Sequence, residues 1–295
     1  MAKRQSLSDK HPSLFFVMPA FVVMFAITIV PFIYTLYLSF HTWSVTRPQY
    51  GFVFSGLYNY IYLFLNDAEW WKSLANTIYI TAVAISVETL VGLGIALLLA
   101  REFGGKGVVR TLLCMPMMTT PMVVGLTWYL MYQYRWGVVN HLLVLVGLPR
   151  VVWLVDPVIT LHAIILVDIW QWSPFMILGL LAGISALPVE PIEAAQIDGA
   201  SSWQQFRHVT LPMLRKFIAI LVLLRSMDLF KMFDIVYTIT EGGPGTATET
   251  LSFFTYKQAF DFFHTGYSSA IAVIIFIILI AIAQVFIRLV RPVGE

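Results

Sequence analysis

The sequence predicts an all-α integral membrane protein with about six transmembrane helices. Three observations carry that prediction. Only 12% of the residues are charged and 59% are hydrophobic, whereas a soluble domain carries about 25% charged residues. With a mean hydropathy of +0.81, the chain cannot cover a water-facing surface, so lipid must cover it. The apolar residues also fall in runs long enough to cross ~30 Å of hydrocarbon as helix, which takes roughly 20 residues. Finally, the polar/apolar alternation over ~10 positions that marks a transmembrane strand is missing.

The elements follow in order. Lys3, Arg4 and Lys10 precede an apolar run from Leu14 to Phe40. It is longer than the ~7–15 apolar residues of a cleavable secretory signal. It also lacks a small-residue cleavage site, so it is an uncleaved first span. Further spans are expected at Asn76–Ala100, Thr111–Tyr134, Val158–Leu187, Phe217–Thr240 and Ser268–Leu289. Pro19, Pro31, Pro121 and Pro174 lie inside spans, where neighbouring helices can satisfy the freed backbone groups. The expected organisation is a tail at 1–13, one transmembrane domain at 14–290 containing a cytoplasmic loop at 188–215, and a tail at 291–295.

Basic residues set the orientation. With the amino terminus inside, Lys3, Arg4, Lys10, Arg101, Lys106, Arg110, Arg207, Arg215, Lys216, Arg288 and Arg291 fall on the inner side. Arg47, Lys72, Arg135, Arg150 and Lys257 fall outside, over longer loops. Positive charge therefore accumulates inside, with both termini cytoplasmic. The outer loops carry Trp70, Trp71, Trp136 and Trp153, rings suited to the headgroup level.

The inner loop EAAQIDGASSWQQFRHVTLPML, Glu193–Leu214, is mixed and helix-prone between two apolar stretches. Pro188 and Pro191 permit a helix to start; Glu193, Ala194 and Ala195 favour it. Gly199 can stop it by taking positive φ at little cost. Ser202 is expected to cap the next helix, with Gln205 completing a capping box, and Leu211-Pro212 to close the unit. The result is a short helix–turn–helix lying parallel to the membrane and presenting Glu193, Asp198 and an apolar face. An amphipathic loop can rest on headgroups, but this one is weakly basic and its carboxylates would be repelled by an anionic leaflet. A protein partner explains it better.

Glu193-Ala194-Ala195, with Gly199 after it and Leu211-Pro212 further on, resembles the EAA loop of inner-membrane permease subunits of binding-protein-dependent ABC importers. Gly56-Leu57-Tyr58-Asn59-Tyr60 followed by Asn76-Thr77 is similar to the family's first outer loop. Gly137 to Asn140, Leu181-Ala182-Gly183, Phe233-Asp234 and Gly242-Gly243-Pro244-Gly245 with Thr248-Glu249-Thr250 resemble its carbohydrate-importing branch. The resemblance spans roughly residues 12–290 and departs from the family at Lys216, where relatives often carry proline. It implies the type I ABC importer permease fold in a bacterial inner membrane. It also implies a second, related permease, two cytoplasmic ATPase subunits and an external solute-binding protein; the asymmetry of the polar stripe at Asp168 and Arg225 leans toward a heterodimer over a pairing of this chain with itself. ATP and Mg would sit on the ATPases, and this chain would bind neither. Glu193, Ala194, Ala195, Asp198 and Gly199 would form the coupling helix docked in an ATPase cleft, Glu193 against a basic residue and Gly199 at the turn.

Ionisable residues inside spans are costly and mark function by default. Asp168 and Arg225 each lie about ten residues from a span end, ~15 Å deep. Asp168, Trp172 and Phe175 share a helix face at i, i+4, i+7, and so do Arg225, Asp228 and Met232. Carboxylates accept hydroxyl hydrogen bonds and ring faces cover C–H surface, so the two stripes suit a sugar or polyol. These positions also resemble those that contact sugar in relatives. The plainer alternative is an Arg225–Asp228 pair beside Lys231–Asp234 that only joins helices, with Glu88 paired to a neighbouring helix. Trp170 can face either way. An arginine at the site also suits an anionic sugar derivative; neutralisation by Asp228, one turn away, favours a neutral one.

Other classes are disfavoured. His11, His41, His141, His162, His208 and His264 are scattered without a metal-binding pair. Gly104-Gly105-Lys106-Gly107 lacks the first glycine and the Ser or Thr of a phosphate loop. The single Cys114 excludes an internal disulfide. A stand-alone channel or transporter built on an inverted repeat is disfavoured because no such repeat is present, and nothing points to nucleic acid.

Overall fold

A computed structural model describes residues 12–46, 49 and 51–290. The chain divides into two compact units. The first comprises the chain up to Asn66 together with Thr255–Phe276, and the second Asp67–Phe254 with the chain from Ile277 onward.

In the first unit, helix α1 (Pro12–Ser39) is exposed along most of its length, as an apolar helix facing lipid should be. A two-stranded antiparallel ribbon follows, β1 (His41–Thr42) paired with β2 (Val53–Phe54), His41 opposite Phe54. Helix α2 (Tyr58–Leu65) presents Asn59 beneath this ribbon. The Asn59 amide donates to the carbonyls of Ser39 at 2.9 Å and His41 at 3.1 Å, tying the ribbon to the end of α1.

The second unit is built on α3 (Ala68–Ala100) packed against α7 (Pro157–Ser185). Both begin at an aspartate cap, the best chemistry for satisfying first-turn N–H groups. Asp67 accepts from the N–H groups of Glu69 at 2.9 Å and Trp70 at 3.1 Å. Asp156 accepts from those of Val158 and Ile159, both at 2.9 Å. The Asp67 cap starts α3 eight residues before the expected Asn76. At Gly92 the helices come close: a β-carbon there would lie 2.7 Å from Met176 Cβ. Small residues allow such close approach between membrane helices. The shared core includes Ile80, Ala84, Ile164, Val167, Leu229 and Val236.

Among the described residues, four helices are long and apolar enough to cross a membrane: Val17–Ser39, Ala68–Ala100, Pro157–Ser185 and Thr265–Arg288. The last belongs to α13 (Thr265–Val290), the final helix of the chain. The other two expected spans are interrupted. Thr111–Tyr134 is shared between α4 (Lys106–Cys114), a 3₁₀ turn at Pro116–Met118 and α5 (Pro121–Met131). Pro116 and Pro121 each lack an N–H and sit where a new element begins. Phe217–Thr240 is divided between α10 (Leu211–Phe230) and α11 (Asp234–Ile239). The remaining short helices are α6 (Val138–Leu145), α8 (Glu190–Ile197), α9 (Ser202–Gln205) and α12 (Leu251–Tyr256). Of the expected tails at 1–13 and 291–295, residues 1–11 and 291–295 lie outside the described residues, and Pro12 and Ser13 belong to α1.

A buried charge cluster beside a cavity

Three helices of the second unit bring one charge each to a common point. Glu88 on α3 is 0% exposed, Asp168 on α7 2% and Arg225 on α10 2%. The Arg225 guanidinium is bidentate on Glu88, Nε donating to Oε2 at 2.9 Å and NH2 to Oε1 at 3.0 Å. NH2 also donates to the Asp168 carboxylate. A planar guanidinium matches this arrangement better than an ammonium could. Its carbon also lies 4.9 Å from the centroid of the Trp172 ring, within cation–π range.

Asp168, Trp172 and Arg225 open onto a cavity of about 270 Å³, with Pro121, Asp228 and Met232 among its other lining residues. This is the place where both interrupted spans break: Pro121 starts α5, and Lys231–Phe233 separates α10 from α11. Non-helical backbone at membrane depth is tolerated where it lines a cavity or is buried in protein. The break before α5 is further held by Gln171, whose amide donates to the Thr119 carbonyl at 3.0 Å.

Four of the five expected ligand residues therefore meet at one cavity: Asp168, Trp172, Arg225 and Asp228. Phe175 is half-buried and is not among the lining residues. Trp170 points elsewhere, 45% exposed and edge-on to Trp128 at 5.5 Å between ring centroids. The expected charge pairing needs correction. Arg225 pairs with Glu88 and Asp168, not Asp228, and Lys231 pairs with Asp228 at 3.6 Å, not Asp234. The reason is burial. A guanidinium out of water requires full compensation, which the carboxylates of two neighbouring helices supply. Asp228 and Lys231, at the end of α10, keep side chains 52% and 56% exposed and need little from each other.

The second candidate region is the elbow after α7. Helix α8 carries Glu193, Ala194 and Ala195, and Asp198 follows as its C-cap. Gly199 takes φ +77°. The Gly199 N–H donates to Gln196 and the Ala200 N–H to Ala195, both at 3.0 Å, closing the helix by the paired 5→2 and 6→1 bonds of a Schellman end. The next cap is Ser201, one residue before the expected Ser202. Gln204 N–H donates to Ser201 Oγ at 3.4 Å, and Ser201 N–H to Gln204 Oε1 at 2.8 Å. A second correction concerns Leu211-Pro212, which does not close the unit. A π turn at Phe206–Thr210 joins α9 to α10, with the Leu211 N–H reaching Phe206 O. The widened turn fits the missing N–H of Pro212. Glu193, Ala194, Asp198 and Gly199 are exposed and Ala195 half-buried. Ile197 is 87% and Trp203 64% exposed. The elbow encloses a notch of about 390 Å³ between Ala195, Asp198, Gly199, Gln204 and His208.

The glycine-rich loop of the second unit is held against α3. Gly242 and Gly245 take φ +81° and +62°. Asn76 donates to the carbonyls of Thr246 at 3.3 Å and Glu249 at 3.1 Å, and Lys72 to Thr246 Oγ1 at 2.7 Å. Among the described residues no cluster of three or more His, Cys, Asp or Glu is arranged to hold a metal.

Interrupted apolar helices around a polar cavity, with an exposed capped elbow beyond them, define a membrane transport component. The chain belongs to the family of binding-protein-dependent transport system inner membrane components, whose model matches residues 12–292. It is 36% identical over 277 residues to the trehalose/maltose transport system permease of Thermococcus litoralis, covering 93% of this chain and 92% of that one. It is 35% identical over 283 residues to the trehalose transport system permease of Mycobacterium tuberculosis, covering 96% and 90%. A solved bacterial ABC transporter involved in import of the acidic polysaccharide alginate shares the fold, with a TM-score of 0.82 at 19% identity over 98% of both chains. The chain is thus a multi-pass permease subunit of the inner-membrane class, without catalytic chemistry of its own, in a system that depends on a binding protein.

Proposed function

We propose that this protein is a permease subunit of an ABC importer for a neutral sugar or polyol. The supporting observation is the cavity at which Asp168, Trp172, Arg225 and Asp228 converge, in a chain whose relatives are named for trehalose and maltose transport. At about 270 Å³ it suits a sugar unit. Asp228 accepts hydroxyl hydrogen bonds, and the Trp172 ring covers an apolar sugar face. Phe175 reaches the ligand in a state other than the one described.

In this reading the chain crosses the membrane six times with both termini inside, the interrupted third and fifth spans included. It pairs with a second, related permease and works with two ATPase subunits and an external binding protein. ATP and Mg reside on the ATPases. The loaded binding protein docks on the outer loops, the glycine-rich loop at Gly242–Gly245 among them. ATP closes the ATPase dimer, and the elbow carrying Glu193, Ala194, Ala195, Asp198 and Gly199 transmits that motion to α10. The Ser202–Phe230 stretch suits transmission, because helix runs from the elbow to Arg225 with only the π turn between. Each ligand then shifts one two-state equilibrium by its differential affinity for the two states. The anionic alternative loses ground because Nε and NH2 of Arg225 are already occupied by carboxylates.

The test is ATPase activity of the reconstituted full transporter against a panel of neutral disaccharides and polyols. The reading predicts stimulation by at least one neutral member, with loss of that stimulation in Trp172→Ala. Stimulation by none, or an unaffected Trp172→Ala, contradicts it.

A further inference from the structure

We propose that Glu88, although outside the cavity, fixes the cavity's charge preference. It commits the Arg225 guanidinium so that the cavity admits neutral and cationic solutes and rejects anionic ones. The inference deepens the ligand-site reading above and rests on it for its biological meaning, but not for its test.

The ionisable lining consists of Asp168, Arg225, Asp228, Lys231 and Asp234, three carboxylates against two cations by formal charge. Taken alone, that lining would present a guanidinium with one partner, and a half-committed arginine readily receives a carboxylate, phosphate or sulfonate. Glu88 removes that option. It is 0% exposed, does not line the cavity, and takes Nε and NH2 of Arg225 at 2.9 and 3.0 Å. With Asp168 on NH2 as well, the Nε–NH2 edge of the fork, the edge that would grip an anion side-on, is filled from behind, and Trp172 covers the guanidinium face. Glu88 also adds a fourth carboxylate to the neighbourhood without adding a cation. In a low-dielectric surround a unit charge several ångströms away acts strongly: ~2 kcal/mol at 8 Å and an effective dielectric constant of ~20. Glu88 is therefore a positioning residue that acts through Arg225, and it sets a selectivity rather than a contact.

The experiment reads the cavity's field without needing to know the solute. Met232, which lines the cavity, is replaced by cysteine in a Cys114→Ser background of the full transporter. Modification rates are compared for trimethylammonioethyl and sulfonatoethyl methanethiosulfonate, reagents of similar size and opposite charge. The unaltered triad should favour the cationic reagent beyond its intrinsic reactivity. Glu88→Gln should lower the cation-to-anion rate ratio by about tenfold or more, and Glu88→Asp should restore it. A purely packing role for Glu88 would not move a charge ratio. Asp168→Asn removes a lining carboxylate and also releases part of the same guanidinium, so it should lower the ratio more than Asp228→Asn, which removes a lining carboxylate alone; that comparison decides the matter if Glu88→Gln fails to assemble. An unchanged ratio in the assembled variants overturns the inference. Failure of the ligand-site reading shows separately, as transport that persists when the Met232→Cys thiol carries a bulky neutral benzyl disulfide that obstructs the cavity.

Discussion

Replacing Arg225 with alanine removes the cation shared by two buried carboxylates. In the native protein its guanidinium makes two hydrogen bonds to Glu88, at 2.9 and 3.0 Å, and one to Asp168, with all three residues at most 2% exposed. Without it, two like charges face each other away from water. Breaking a buried ion pair by deleting one partner costs about 3–5 kcal/mol. At ~2–4 °C per kcal/mol for chains of this scale, the melting temperature should fall by on the order of 10 °C. The assay is tryptophan-fluorescence melting of the purified transporter, for which the nine tryptophans provide signal. A companion variant sharpens it. Glu88→Leu, Asp168→Leu and Arg225→Met together remove every charge, and well-packed apolar replacements of buried ion clusters are often neutral or stabilising. The combined variant should melt well above Arg225→Ala and transport nothing, since Asp168 and Arg225 are lost from the cavity. A drop below about 2 °C for Arg225→Ala, or a combined variant that melts no higher than it, would refute the reasoning.

Three further outcomes are expected. Gly92→Leu should destabilise the fold by about 1–3 kcal/mol through overpacking, because even a β-carbon there meets Met176 Cβ at 2.7 Å; a native melting curve would show that α3 and α7 do not meet this way. Gly199→Asp has open space around its β-carbon and costs only ~1–2 kcal/mol of left-handed backbone strain, so folded protein should accumulate while uptake is abolished. Normal uptake by that variant would count against docking at the elbow. Asp228→Ala removes an exposed cavity carboxylate weakly paired to Lys231; it should leave the melting temperature within about 2 °C and reduce the apparent affinity for sugar, and unchanged uptake kinetics would place Asp228 outside the ligand site.

The helices that could be read directly from the sequence are those whose apolar runs are uninterrupted: α1, α3, α7 and α13 match expected spans to within a few residues except at the start of α3. There Asp67 recruits a mixed stretch, residues 68–75, that a hydropathy criterion ignores. The broken spans were harder, because a proline inside an apolar run is compatible with either a kink or a full stop. Local pattern was ambiguous at the second cap for a simple reason. Ser201-Ser202-Trp203-Gln204-Gln205 contains two Ser-x-x-Gln frames one residue apart, and the Schellman end at Gly199 selects the first. The partner of Arg225 could not come from local spacing at all. Asp228 is one turn away, whereas Glu88 lies 137 residues off in sequence. The available signal was that Glu88 and Asp168 are carboxylates at membrane depth without a local cation, a situation that demands a distant one.

Coupling requires the elbow to be a cytoplasmic handle, and a cysteine at Asp198 in a Cys114→Ser background is the sharpest probe of its side. A membrane-impermeant maleimide should label it in inside-out vesicles lacking the ATPase subunits, fail to label it in right-side-out vesicles, and be blocked once those subunits are assembled. Labelling from the outer face, or labelling indifferent to the ATPases, would rule the elbow out as that handle.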